Sequence, residues 1–195
     1  MKLHYSPASP FVRKVVAVAL HHGIPLERVA TNPHTSPTDL LADNPLSKVP
    51  ALVTDDGMSL PDSPLICEYL DSLGGATKLF PAGEARWPVL RLAALADGVL
   101  TAAVLRRGLS MMPQDEARAG SMARQKAAVS RTLDLLEAEG VPATLHIGTL
   151  TLICALGYLD FRFGEEDWRA ERPKLAGFFE AHMQNPIFAE TVPAG

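Results

Sequence analysis

Along the first seventy-five residues, short alternating stretches with β spacing trade places with stretches of helical spacing. Met1 to Tyr5 has the length and pattern of a short strand. From Pro10 to His22 the apolar residues Phe11, Val12, Val15, Val16, Ala19 and Leu20 recur at helical spacing, and Gly23 follows where a left-handed C-terminal residue belongs. Leu26 to Thr31 reads as a second strand and Pro37 to Ala42 as a short helix, between the loop compositions NPHTSP and DNPLSKVP. Pro50 to Thr54 and Met58 to Leu60 read as strands joined by the turn Asp55-Asp56-Gly57. Ile66, Tyr69, Leu70 and Leu73 then mark one face of a helix that Gly74-Gly75 closes. The order β-α-β-α-β-β-α predicts helices packed on a single sheet.

Beyond Gly75 strand patterns disappear. GGATKLFPAGEARWP has the composition of a linker. Glu84 to Met112 predicts a long helix, kinked near Gly98 or Gly108 and stopped by Pro113. Gln114 to Glu139, Gly148 to Phe163 and Pro173 to Gln184 predict three more. The division expected is an α/β domain over residues 1–76, a linker over 77–83 and an all-α domain over 84–195. The uncharged stretch Val141 to Leu159 has the length of a membrane span. It contains Pro142, His146, Gly148 and three threonines, and Asp160 and Arg162 follow at once, so a buried core helix is the better reading.

Composition narrows the function classes. The chain has 195 residues, 47% hydrophobic and 21% charged, with a net charge of −4. No more than two basic residues stand together, which argues against nucleic acid and against an anionic membrane surface. Cys67 and Cys154 lie far apart in apolar runs and no C-x-x-C occurs, so they read as reduced core thiols of a cytoplasmic protein. The six histidines show no metal-ligand spacing, and no metal is expected. Met1 to Tyr5 leads directly into Ser-Pro turns, which is unlike a secretory leader.

Three stretches carry candidate chemistry. In YSPASPFVRK, Ser9-Pro10 is a helix-start signature, serine at the cap and proline in the first turn. Ser9 is thus a cap, a hydroxyl aimed at a bound anion at a helix N-terminus, or both. No G-x-S-x-G surrounds it, and no His/Asp pair can be matched to it, so anion stabilisation is a better reading than nucleophilic attack. In NPLSKVPAL, Pro50 precedes a strand, and a cis bond there would turn the chain and free the Val49 backbone for an outside partner. In PDSPLICEYL, Ser63-Pro64 repeats the cap signature with Asp62 beside it. This is either a doubly capped helix or a site where Ser63 holds a ligand carboxylate and Asp62 its ammonium.

Together, SPFVRK, NPLSKVPALV and LPDSPLICEYL resemble the glutathione S-transferase family. The helical second half fits as well, and ALGYLDFR (Ala155 to Arg162) is similar to a stretch of the family's penultimate helix. The resemblance implies a thioredoxin-like N-terminal domain, an all-α C-terminal domain and a homodimer in the cytoplasm. It implies glutathione as co-substrate, with a small hydrophobic electrophile as the partner substrate and detoxification as the setting. Pro50 matches the family's cis-proline, and Val49 would pair its backbone with the cysteinyl part of glutathione. Asp62 and Ser63 match the pair that holds the γ-glutamyl ammonium and carboxylate, and Lys48 would approach the glycyl carboxylate. Ser9 falls at the residue beside the glutathione sulfur, with Tyr5 as the alternative activator. Phe11 would line the glutathione site and, with Arg107 and Met111, an electrophile pocket between the domains; Met111 and Met112 packing the helix end is the plainer reading. Ser9 is not cysteine, which counts against thiol transfer through a mixed disulfide.

One departure concerns the penultimate helix. Its usual Ser/Thr-x-x-Asp capping box reads His146-Ile147-Gly148-Thr149 here. The helix start is therefore expected to be weaker by up to about 1–2 kcal/mol. Other outcomes of the resemblance are a non-catalytic binding or interaction module, or a glutathione-dependent dehalogenase, isomerase or peroxidase.

Overall fold

The structure, a computed structural model, describes all residues from Met1 to Gly195. It divides into two compact units, Met1–Pro81 together with Ile187–Gly195, and Ala82–Pro186.

The first unit contains β1 (Lys2–Tyr5), α1 (Pro10–His22), β2 (Glu27–Ala30), α2 (Thr38–Asp43), β3 (Ala51–Val53), β4 (Ser59–Pro61) and α3 (Ser63–Leu73). The sheet order is β2-β1-β3-β4, with β1 parallel to β2 and antiparallel to β3, and β3 antiparallel to β4. This is the thioredoxin-like arrangement. α1 is buried along most of its length because it packs beside α3, and Val12, Val15, Ala17 and Val18 are fully inaccessible. Gly23 ends α1 at φ 65°, and its N–H returns to the Ala19 and Leu20 carbonyls. The far ends of α1 and α3 are tied where His22 Nε2 meets Asp71 Oδ1 at 2.9 Å, and Asp71 also accepts from the Leu79 N–H at 2.7 Å. Gly74 passes directly over the His22 ring, and a Cβ there would lie 2.1 Å from the ring carbon.

The second unit contains α4 (Arg86–Ser110), α5 (Glu116–Glu139), α6 (Ile147–Phe163) and α7 (Pro173–Met183). α6 is buried from Ile147 through Leu159, as expected of a core helix. α4 packs on both α5 and α6. With its preceding turn, α4 is long and apolar enough to cross a membrane by length and composition; its Leu92, Ala96, Val99, Leu100 and Ala103 are buried. Arg91 and Glu139 join α4 to α5 through two bonds of 2.7 and 2.8 Å, and Arg106 pairs with Glu166.

α4 is continuous through Gly98 and Gly108, and neither is forced by a close neighbour. Three expectations are corrected. The last nine residues do not belong with the helical domain; after the short α8 (Pro186–Ala189) they join the first unit, where Phe188 is fully buried. Met111 and Met112 do not pack the end of α4, being 58% and 50% exposed. The start of α6 is not weak. His146 Nδ1 accepts from the Thr149 N–H at 3.2 Å and Thr149 Oγ1 accepts from the His146 N–H at 2.9 Å, so an unusual residue pair rebuilds the capping box. An imidazole nitrogen and a hydroxyl supply the acceptors that the usual hydroxyl and carboxylate would give.

Candidate functional site

The register of the sheet gathers the three candidate stretches. His4 pairs with Ala51, and Ala51 with Pro61. β1 therefore ends, β3 begins and β4 ends along the same edge of the sheet. The loop bearing Ser9, the Val49-Pro50 bond and the Asp62-Ser63 corner all emerge there. Residues separated by more than fifty positions thus share one rim. The N-termini of α1 and α3 open at that rim and bring two positive dipole ends there.

Ser9 caps α1. Its backbone is extended, at φ −85° and ψ 119°, and its Oγ accepts from the Val12 N–H at 3.3 Å. Capping engages a lone pair on the oxygen and leaves the hydroxyl hydrogen free to donate. The two readings of Ser9 are therefore compatible in one rotamer.

The Val49-Pro50 bond is cis. Val49 stands just outside β3, and no intramolecular hydrogen bond engages its N–H or C=O. Its loop is held by Asn44, a residue that sequence reasoning missed. Buried to 1% exposure, Asn44 donates to the Lys48 carbonyl at 2.8 Å and accepts from the Leu46 N–H at 3.0 Å. The signal was the Asn-Pro step of DNPLSKVP, an Asx-turn composition. Lys48 itself is exposed. Asp43, one residue before Asn44, meets Lys2 at 2.6 Å and the buried His4 at 2.8 Å, and these bonds hold its carboxyl below the usual range.

At the third stretch the structure shifts the cap by one residue. Asp62, not Ser63, is the N-cap of α3, and its carboxylate accepts from the Ser63 N–H at 2.8 Å. Ser63 is already helical and fully buried, and its hydroxyl has no partner within the chain. Because that hydroxyl bonds no amide, the double cap does not exist, and an unmatched buried hydroxyl costs about 1–3 kcal/mol. Asp62 is exposed and sits at φ 70° and ψ 135°, outside the left-handed helical basin and strained for a residue that carries a Cβ. Such a conformation is typical of ligand clamps.

The remaining candidates lie on other elements. Phe11 lies half-buried in the first turn of α1. Tyr5 ends β1, with the Arg28 guanidinium 5.7 Å from its ring centre, and lines a small cleft with Arg13, Glu190 and Thr191. Arg107 and Met111 belong to the helical unit. There the Arg162 guanidinium lies 3.8 Å from the centre of the Phe161 ring, and the Tyr158 phenol is buried. Burial pushes the Tyr158 pKa up, and the charges of Arg162 and Arg107 oppose that rise. No group of His, Cys, Asp and Glu side chains has a metal-binding arrangement.

Residues 3–78 match the family model "Glutathione S-transferase, N-terminal domain" and residues 119–181 match "Glutathione S-transferase, C-terminal domain". The chain belongs to the glutathione S-transferase family. It is 34% identical to the GST-like protein YibF of Escherichia coli K12, itself uncharacterised, across 99% of this chain and 98% of YibF. A glutathione transferase family member from Pseudomonas fluorescens Pf-5, solved with bound glutathione, superposes with a TM-score of 0.93 at 37% identity, covering 100% of this chain and 99% of that one. A second structure from P. fluorescens Pf-5, holding S-(propanoic acid)-glutathione, gives a TM-score of 0.86 at 35% identity and covers 100% of both chains.

Proposed function

We propose that this chain is a glutathione transferase in which Ser9 activates the glutathione thiol for attack on a small electrophile. The observation that carries the reading is the shared rim. A capping serine with its hydroxyl proton uncommitted, an unpaired Val49 backbone beside a cis-proline, and Asp62 beside the unmatched Ser63 hydroxyl stand at one edge of the sheet. In this reading Val49 pairs with the cysteinyl backbone as an added strand does. Asp62 holds the ammonium, Ser63 the neighbouring carboxylate, and Lys48 the glycyl carboxylate.

The energetics suffice. A free thiol has a pKa of about 8.5, so only a few per cent is thiolate at neutral pH. Lowering that value by about two units takes roughly 2.7 kcal/mol. A hydrogen bond to a charged sulfur contributes about 1.5–3 kcal/mol and a helix N-terminus about 0.3–1. Ser9 is favoured over Tyr5 because Tyr5 faces the Arg28 and Glu190 cleft. The electrophile class is open to screening. A carboxylate-bearing electrophile is the first to try, since a relative holds S-(propanoic acid)-glutathione. The buried thiols Cys67 and Cys154 fit a cytoplasmic, reducing setting.

One observation favours a second reading, a non-catalytic binding module. Ser9 and Asp62 both cap helices, so a pure scaffold would keep them too. The test is a pH titration of thiolate absorbance with glutathione and saturating protein. The expected result is a thiolate signal well below the free thiol's pKa, moved upward by Ser9→Ala and unmoved by Tyr5→Phe. A signal moved by Tyr5→Phe alone reassigns the activator, and no protein-dependent signal favours the binding module.

A further inference from the structure

We propose that the segment Ile187–Ala194 braces the loop between β1 and α1, and that Arg13 and Thr191 are positioning residues for the Ser9 hydroxyl. The inference rests on the reading of Ser9 given above.

The loop is a single tight turn, closed by the Ser9 N–H on the Ser6 carbonyl at 3.1 Å. Its two ends are fixed by the first unit itself. The Thr31 N–H holds the Tyr5 carbonyl at 2.8 Å, and the Arg13 N–H holds the Ser9 carbonyl at 3.0 Å. Pro7 lies between them, exposed and without an N–H of its own to give. Its carbonyl is taken by the Ala194 N–H at 3.3 Å.

The same segment is gripped from α1. Arg13 is only 4% exposed. Its Nη2 donates to the Phe188 carbonyl at 3.1 Å and its Nε to Thr191 Oγ1 at 3.4 Å. The Thr191 hydroxyl in turn donates to the Ile187 carbonyl at 2.8 Å, and Phe188 is fully buried beneath. Arg13 follows Val12, whose N–H is the one Ser9 caps. The contacts therefore close a ring: Pro7, Ser9, Arg13, the C-terminal segment, and Pro7 again. The cleft left between them, lined by Tyr5, Pro7, Arg13 and Thr191, measures about 30 Å³, room for about one water.

The ring bears on chemistry because a hydrogen bond weakens steeply as its angle opens. The Ser9 O–H is carried at the end of a loop whose Pro7 carbonyl is held by this segment. A group misplaced by about 1 Å can lose about 100-fold in rate.

The test compares wild type with Arg13→Met, Arg13→Lys, Ala194→Pro and Ser9→Ala, in the thiolate titration and in steady-state conjugation. Arg13→Met and Ala194→Pro should raise the bound thiol's pKa and lower kcat near neutral pH by about ten-fold. KM for glutathione should stay within about two-fold, and kcat should recover where free glutathione is already ionised. Arg13→Lys, which keeps a donor, should restore most of the wild-type profile. A purely structural role would lower Tm without moving the pH profile. If Arg13→Met fails to fold, Ala194→Pro carries the test, since Ala194 is exposed and the substitution removes the N–H that holds Pro7. A wild-type pH profile for Ala194→Pro overturns the brace. If Ser9→Ala also leaves the thiol pKa unchanged, the reading of Ser9 has failed; if Ser9→Ala raises it, only the brace has.

Discussion

Two polar residues at the rim each combine two demands that the sequence presents as alternatives. Ser9 accepts a cap bond with one lone pair and keeps its proton. Asp62 caps the next helix with Oδ1 while its φ of 70° leaves the side chain exposed. The charge of Asp62 and its capping role separate in Asp62→Asn, which keeps an acceptor for the Ser63 N–H and loses the charge. Loss of a charged hydrogen bond of about 1.5–3 kcal/mol predicts glutathione binding weaker by roughly ten-fold or more, with Tm nearly unchanged. Calorimetric titration checks this, and an unaltered Kd would remove Asp62 from the ammonium-holding role.

At the scale of elements, the start of α6 is the most informative segment. Gly148 lies where α6 meets α4, and a Cβ there would sit 2.7 Å from the Val89 carbonyl. Close packing thus demands glycine at the second helical position, while His146 and Thr149 supply the cap around it. His146 accepts through Nδ1, and burial holds its pKa below the ordinary 6.5. The folded state then binds fewer protons than the unfolded chain, so stability rises with pH. The cap's contribution is complete above the unfolded value near 6.5 and is lost as pH falls through the lower folded value. Wild type should lose about 1 kcal/mol more than His146→Asn between pH 7 and pH 5, since asparagine caps without titrating. Urea melts at both pH values measure the difference; parallel losses in the two proteins would sink this account.

On the scale of the whole molecule, the chain divides into two units that the sequence boundary nearly marks, except that Ile187–Gly195 returns to the first. The apolar stripe on α3 bears on assembly. Leu65 and Leu73 are 49% and 54% exposed, and the half-buried Tyr69 lies between them on the same helical face. We propose that a second copy of this chain covers that stripe. Light scattering should give twice the chain mass of 20.9 kDa, and Leu65→Glu with Leu73→Glu should give the single mass. A monomeric wild type would reject the proposal.

Local patterns decided the elements. Helical spacing from Phe11 to Leu20, the Asp55-Asp56-Gly57 turn and the Ser9-Pro10 and Ser63-Pro64 steps are properties of neighbouring residues, and the structure follows them within a residue or two. They could not decide which caps which. Asp62 displaces Ser63 through a backbone conformation that spacing does not encode, and His146 replaces a hydroxyl because its ring nitrogen happens to reach the third amide. Neither the cis state of Pro50 nor the hold of Asn44 on its loop follows from spacing. The shared rim itself depends on strand register, a long-range pairing of His4 with Ala51 and Ala51 with Pro61. The grip of Arg13 on a segment about 175 residues away depends on tertiary contact as well. Sequence by itself determined the elements and the kind of chemistry their ends offer. Only the tertiary structure brought those ends together, because contacts between distant residues arise from packing and pairing rather than from local preference.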